Sequence, residues 1–390
     1  MKTTIKDTVN AIIEAVESRG DQALVDFTRT FDSQSIKTGD IPVSRRDIDS
    51  SVKTLEPNIR QAIDQAAASI SLFHRQELQR LKKTWTVKKS RGVVVGQIIT
   101  PIDAVGIYVP GGRYSYPSTV LMTALCARVA GVRRIVVVTP PHNITPAVLY
   151  AVGISGVDEL YRVGGAQAIA ALAVGTRSIP RVDIIVGPGN AYVTEAKRQV
   201  YGRVGIDSLA GPSEVAIIAD AGADPAHVAA DAMAQMEHDP LARAFIFTDS
   251  AKIVGAVRRA VDKKYVSQLS ITRCSIGRAV EMINTIAPEH VEILTAQPDA
   301  IVRRIRNAGA IFAGYATPTA LGDYLAGPSH VLPTGGSARF ASGLSASTFL
   351  KKTSYIKYSA SATALQAQRA AALADSEGLC HHAASLRIRS

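Results

Sequence analysis

No run of apolar residues in this 390-residue chain approaches the roughly 20 needed to cross a bilayer. The opening residues, MKTTIKDTVNAIIEAVESRGD, carry charges through their apolar periodicity and lack a signal-peptide core, so they read as a mature helix. A cytoplasmic protein, or an organellar one without its transit peptide, is expected. Cysteine is scarce: Cys126, Cys274 and Cys380 are far apart and odd in number, which argues against a disulfide framework and a CxxC zinc cage. Aromatic residues make up 5% with a single Trp, too few for an evident base-stacking platform. The net charge of +11 therefore does not mark a nucleic-acid binder. Its basic residues come as scattered pairs, Lys82-Lys83, Lys88-Lys89, Arg133-Arg134 and Lys351-Lys352, interleaved with acids. Charge so distributed steers anionic ligands such as a dinucleotide. A full GxGxxG fingerprint is missing too, because Gly187-x-Gly189 continues to Tyr192 where the third glycine belongs.

What is present is a chain with 47% hydrophobic and 20% charged residues, long enough for two or more cores. Ile5–Ser18 and Pro57–Arg80 show helical periodicity with polar faces. From Gly92 short β-branched runs alternate with helical windows. The runs are Val93–Gln97, Val105–Val109, Arg134–Val138, Glu159–Val163, Asp183–Val186, Val215–Ala219, Ala244–Phe247, Val291–Leu294 and Ala310–Phe312. Between them lie windows such as Ser118–Ala130, Ala166–Val174, Tyr192–Tyr201 and Pro225–Met236. Such alternation calls for parallel sheets covered by helices, and so many strands call for two βα-wound domains. The repeating order on either side of residue 210 hints at an internal duplication. After Thr334 a Ser/Gly-rich stretch leads into a basic, helical tail through Thr363–Leu379.

Four loops are rich in Gly and Pro: Tyr108–Arg113, Gly164–Gln167, Gly187–Asn190 and Gly211–Ser213. Each is expected to follow a strand and open a helix, where bare glycine backbone and free N–H groups receive phosphate. A second group of residues is suited to acid–base or metal chemistry. Gln235 and His238, three apart, share a helix face and can hold a metal, or simply decorate a solvated helix end. Pro288-Glu289-His290 joins a carboxylate to an imidazole ahead of a strand, a pairing able to move protons near neutral pH or to sit idle on a surface. Asp323 and His330 lie in a Gly/Pro-constrained stretch, and Glu377, His381 and His382 lie near the C-terminus. With Gln235 and His238 these are mixed N and O ligands suited to zinc, although no local spacing shows that they meet.

Longer blocks give this material a context. From SRGDQALVDFTRTFD to EGLCHH the chain closely resembles the histidinol dehydrogenase family. The likeness is densest in GIYVPGGR, VGGAQAIAALAVGT, VDIIVGPGNAYVTEAKRQV, GIDSLAGPSEV, APEH and AGPSHVLPTGG. The resemblance implies an α/β fold of two incomplete Rossmann-like domains with parallel sheets, plus small helical N-terminal and C-terminal dimerisation segments. Divided on this basis, residues 1–91 form the N-terminal segment and the start of the first domain. Residues 92–210 and 211–334 form the two domains, and 335–390 the C-terminal arm.

The resemblance further implies a homodimer oxidising L-histidinol to L-histidine by way of the aldehyde, with two NAD and one zinc ion per subunit. Zinc would be held by Gln235, His238, Asp323 and, from the partner's C-terminal segment, His382; these also contact substrate. Glu289 and His290 would be catalytic, Ser213, His330 and Glu377 would bind substrate, and Tyr108, Gln167 and Asn190 would bind NAD. Counting back from Leu386-Arg387 puts Cys380 near the fourth ligand's place, but the interval from Glu377 selects His382, with His381 the alternative. Ser329 stands where the family usually has Asn, and the segment between Thr248 and Ala287 is shorter than usual. Paralogues on the same fold oxidise other polar alcohols such as sulfopropanediol; the retained Glu377 and His382 favour histidinol. A basic nucleotide- or nucleic-acid-binding protein that has lost catalysis is disfavoured by the intact Glu289, His290 and ligand candidates.

Overall fold

The structure is a computed structural model that describes residues 4–81, 83–111 and 115–389. Lys82, and Gly112 and Arg113 of the expected Tyr108–Arg113 loop, lie outside them. Strands are labelled in chain order. They are β1 (Trp85–Ser90), β2 (Val93–Pro101), β3 (Ala104–Tyr108), β4 (Arg134–Thr139), β5 (Glu159–Arg162), β6 (Ile184–Val186) and β7 (Gly205–Ile206). They continue as β8 (Glu214–Ala219), β9 (Arg243–Thr248), β10 (Leu269–Arg273), β11 (His290–Leu294), β12 (Ala310–Ala313) and β13 (Leu350–Tyr358). The chain divides into two units, one formed by residues 1–78 and 102–349 and the other by 79–101 and 350–390.

The larger unit contains two five-stranded parallel sheets, ordered β5-β4-β3-β6-β7 and β10-β9-β8-β11-β12. In each, the first strand of the set is central, the next two run outward on one side and the last two on the other. The second sheet thus repeats the topology of the first. Both carry the doubly wound order without its sixth strand, the incomplete Rossmann-like arrangement expected. β3 is buried along its whole length and β4 is buried except at Arg134, which is why these runs read as continuous β-branched segments rather than alternating ones.

Helix Ile5–Arg19 begins at Thr4, whose hydroxyl accepts the Asp7 N–H at 3.2 Å while Asp7 reaches back, a reciprocal capping box. Its buried Val9, Ile12, Ile13 and Val16 pack with Ile169 and Leu172 under the first sheet. The N-terminal segment is therefore part of the first domain's core. Helix Pro225–Met236 packs Val228, Ala229 and Ala232 against Val215 and Ile217 on one face of the second sheet. The opposite face buries Ala216, Ile218, Val291 and Ile293 with helix Ile276–Ile286.

Two expectations are corrected. Val93–Gln97 belongs not to a parallel sheet but to an antiparallel one, ordered β1-β2-β13, in the smaller unit. Only Ile102 and Asp103 separate β2 from β3, too few for the dozen or more residues of a parallel crossover. The C-terminal stretch is likewise not helical from the Ser/Gly run onward. It first forms β13, whose residues on both faces are largely exposed, and only then helices Ala360–Ser376 and Cys380–Arg387.

Candidate active site

The acid–base residues converge at the amino edge of the second sheet. Helix Ile276–Ile286 ends at Ala287, the only non-glycine with positive φ among the described residues (φ 54°, ψ 58°). A left-handed alanine directly before Pro288 is strained, and strain of this kind gathers at functional sites. The reversal sets Glu289 and His290 at the head of β11, both buried. Their backbone is pinned by the Gly309 N–H to Pro288 O at 3.1 Å and the Ala310 N–H to Glu289 O at 2.9 Å. At Gly309 a β-carbon would lie 2.6 Å from Glu289 O, so this close approach requires glycine.

Across from the pair stands Gln235, buried in the last turn of helix Pro225–Met236, whose Oε1 lies 3.0 Å from His290 Nδ1. With the amide oxygen accepting, Nδ1 carries the proton and Nε2 keeps its lone pair. The His290 ring also leans on Phe312, centroids 5.7 Å apart. Burial drives His290 down to about 4, against the opposing pull of Asp323, while His330 and His238 reinforce the drop. Burial drives Glu289 up to about 8, against hydrogen bonds from Ser213 and the Glu214 N–H, the latter at 3.3 Å. Glu289 Oε2 and His290 Nδ1, 3.8 Å apart, thus meet near neutral pH largely as a protonated acid and a neutral imidazole, not as an ion pair.

Asp323 lies in the short helix Ala320–Tyr324 rather than in an open loop. His330 Nδ1 is 3.2 Å from the Asp323 carbonyl and 4.0 Å from its carboxylate, and Nε2 is 3.3 Å from Thr119 Oγ1. Ser329, at the family's Asn position, is buried and accepts the Val331 N–H at 3.3 Å, so its hydroxyl turns back onto its own chain. His238 stands just past the end of its helix, exposed, and lines a cleft of about 810 Å³ together with Tyr324, Tyr116, Leu121 and Ile63. Asp323 and His238 both act on His290 and His330 through space, so Gln235, His238, Glu289, His290, Asp323 and His330 make one cluster. Among the described residues no three His, Cys, Asp or Glu side chains form a ready cation cage. Gln235, His238 and Asp323 nevertheless combine an amide oxygen, an imidazole and a carboxylate, a donor set that suits zinc and lacks one ligand of four.

The dinucleotide candidates lie at the carboxyl edge of the first sheet. Its strand order reverses between β3 and β6, which is where such sheets form a ligand crevice. Tyr108 ends β3; its hydroxyl accepts the Gly165 N–H at 3.1 Å, and burial pushes it up to about 12, keeping it a phenol. Gln167 is buried, with no partner for Nε2 among the described residues. Asn190 caps helix Ala191–Val200, accepting the Tyr192 and Val193 N–H groups at 3.0 and 3.1 Å. Of the four Gly/Pro loops, Gly211–Ser213 does not open a helix: it leads into β8, because the following Glu-Val-Ala-Ile-Ile-Ala run is a buried strand.

Glu377 and His382 belong to the smaller unit, where both are exposed, as is His381. Sequence reasoning missed Thr119 and the strained Ala287. Thr119 had no signal beyond its place in an apolar helix, whose middle, Leu121–Leu125, is wound as a π-helix, a feature frequent at functional sites. Ala287 had one usable signal, the proline that follows it.

Two doubly wound sheets, one with a glycine-lined crevice and one with a buried acid–base pair, define a two-domain α/β protein of the kind dehydrogenases use. The putative aldehyde dehydrogenase PutA of Anabaena variabilis has the same fold at 13% identity, with a TM-score of 0.50 over 91% of this chain and 92% of that one. The chain belongs to the histidinol dehydrogenase family, which it matches across residues 1–390, and it is an enzyme of the dehydrogenase class. It is 49% identical to the histidinol dehydrogenase of Thermosynechococcus vestitus, over 98% of this chain and 92% of that protein. It is 48% identical to that of Rhizobium meliloti, over 98% and 91%. The crystal structure of histidinol dehydrogenase from Elizabethkingia anophelis is 32% identical, with a TM-score of 0.92 over 100% of this chain and 93% of that one.

Proposed function

We propose that this protein oxidises L-histidinol to L-histidine in two successive hydride transfers to NAD, the last step of histidine biosynthesis. The observation that carries the reading is the buried meeting of Glu289, His290 and Gln235 at the head of β11. Gln235, His238, Asp323 and His382 of a second copy would hold zinc. When bound, zinc orients the substrate's nitrogens and polarises its oxygen, and NAD accepts hydride.

The chain's own residues then have distinct tasks. His290 takes the carbinol proton at Nε2 as the first hydride leaves, and Gln235, by accepting from Nδ1, keeps the ring in the tautomer that frees Nε2. Glu289, once deprotonated, takes a proton from the water that adds to the aldehyde; the hydrate then loses the second hydride and a proton to give the acid. In balance, one alcohol, one water and two NAD yield one carboxylate, two NADH and three protons. A carboxyl with its pKa near 8 is a stronger base than an ordinary one, which suits attack by water. Thr119, Asp323 and His330 line the substrate's place, with Ser213 beside Glu289 and Glu377 reaching it from the second copy. Tyr108, Gln167 and Asn190 serve NAD at the crevice of the first sheet.

The test is to incubate the protein with L-histidinol, NAD and zinc and to count NADH per substrate consumed. Two per histidinol, abolished by a chelator, is expected. Absence of turnover with histidinol alongside turnover of sulfopropanediol or another polar alcohol would overturn the reading in favour of a paralogous activity.

A further inference from the structure

A buried ion pair sits directly beneath the Gly187–Asn190 loop. Lys197, in the last turn of helix Ala191–Val200, and Asp207, just after β7, are both almost wholly buried and bonded to each other. Between them they capture both polar groups of one residue. Asp207 Oδ2 accepts the Gly187 N–H at 2.7 Å, and Lys197 Nζ donates to the Gly187 carbonyl at 3.0 Å. Gly187 has φ 109°, and a β-carbon there would lie 2.2 Å from the Tyr108 carbonyl. The loop is thus pressed onto the end of β3, at the reversal point of the sheet.

We propose that Lys197 and Asp207 are the positioning residues of the dinucleotide crevice: their pair fixes Gly187 and so aims the next loop residues at NAD. This rests on the NAD reading given above. Three observations support it. A buried ion pair contributes little net stability compared with apolar residues of the same shape, so a geometric task accounts for it better than a stabilising one. Its bonds go to the loop's first residue, where a small rotation swings everything after it. Beyond Gly187, the Gly189 and Asn190 N–H groups have no acceptor among the described residues and are free for an anionic ligand. Neither Lys197 nor Asp207 is offered to the ligand, since both are spent on the loop and on each other.

The test uses the double variant Lys197→Met/Asp207→Leu, which removes the tie without leaving an unpaired buried charge. Displacement of the loop by about 1 Å is expected to raise the NAD dissociation constant by about tenfold to a hundredfold, measured by calorimetric titration. The histidinol KM and kcat at saturating NAD should hold. Wild-type NAD affinity in a folded double variant would overturn the proposal, as would equal loss in the NAD and histidinol parameters. Should the double variant fail to fold, Lys197→Arg, which keeps the charge and changes its reach, must show the same selective loss. Exchange of the Gly187 amide, which Asp207 holds, judges the clamp without NAD: acceleration in the variant supports it and an unchanged rate sinks it. If wild-type protein binds no NAD while exchange accelerates, the clamp stands and the NAD reading falls.

Discussion

Glu292 gives the sharpest test of the fold's energetics. It lies two residues beyond His290 on the same face of β11, fully buried, with the apolar Ile217 and Phe312 as its neighbours on β8 and β12. Asp231, one helical turn before Gln235, faces it closely enough to perturb its charge, but neither oxygen of Glu292 reaches good hydrogen-bond geometry. Burial, reinforced by Asp231, pushes Glu292 from 4.5 up to about 9, and burial also raises Asp231, opposed by its interactions with Glu292 and His227. The folded state therefore holds a proton that the unfolded chain releases above the ordinary carboxylate range. Stability falls where the folded state binds more protons, so it should decline as pH rises from about 5 toward 9. Between the unperturbed value of 4.5 and pH 7 the linkage amounts to about 3 kcal/mol, an upper figure because Asp231 shares the proton.

Glu292→Gln keeps the volume and the polar character while removing the titration. Urea unfolding at pH 5, 6, 7 and 8 is the assay. Near pH 5 the variant should match the wild type within about 1 kcal/mol, because a buried protonated acid and a buried amide carry similar penalties. Above pH 6 the variant should gain progressively, by up to about 3 kcal/mol at pH 7. Glu289 titrates in the same direction in both proteins, so the difference between them reports the Glu292–Asp231 pair. A gap that stays constant from pH 5 to 8 would refute the account.

Three further outcomes are expected. The rate of histidinal oxidation should rise with pH through about 8 as Glu289 loses its proton, and Glu289→Gln should lose both that limb and about a hundredfold or more in rate; the same limb in the variant would assign it elsewhere. His238→Ala should lose bound zinc, read by atomic absorption, together with turnover, and full zinc occupancy would remove His238 from the ligand set. Mixing an inactive His382→Ala protein with an inactive His290→Ala protein should restore partial activity if the C-terminal histidine acts across a dimer, and no recovery in verified heterodimers would count against that.

Much of the parallel architecture was legible because buried parallel strands leave a plain mark, short β-branched runs between helical windows. Four strands left less mark and were missed: β7 is two residues long, and β1, β10 and β13 are partly or wholly exposed, so no buried β-branched run announces them. Gln235 and His238 were legible as neighbours on a helix, but not their difference, one buried against His290 and the other exposed past the helix end. That difference is set by β11, which lies 55 residues from Gln235. The Glu289–His290 pair, readable as surface decoration from its letters, is buried because Ala287 reverses the chain. The carboxyl of Glu292 read as an ordinary member of an apolar strand, and nothing local revealed that Asp231 would face it.

The two edges of the sheets explain why one chain carries two such domains. Ligand crevices of doubly wound sheets lie at the carboxyl ends of the strands, where the first sheet carries Tyr108 and Gly187. In the second sheet Glu289 and His290 stand at the amino end of β11, and Ser213 immediately precedes β8. Its own carboxyl edge is closed by Asp220, which accepts the Gly222 and Ala296 N–H groups at 2.9 and 2.8 Å and the Tyr315 hydroxyl at 2.7 Å, leaving a negative charge where a phosphate would need to sit. The acid–base pair of the second domain thus lies at the edge opposite Asp220. Thr119, in the helix that follows β3, lies 3.3 Å from His330 of the second domain, so the first sheet's carboxyl side approaches that chemistry. On the function proposed above, a hydride acceptor held at the first edge and a carbinol held at the second would meet at this junction.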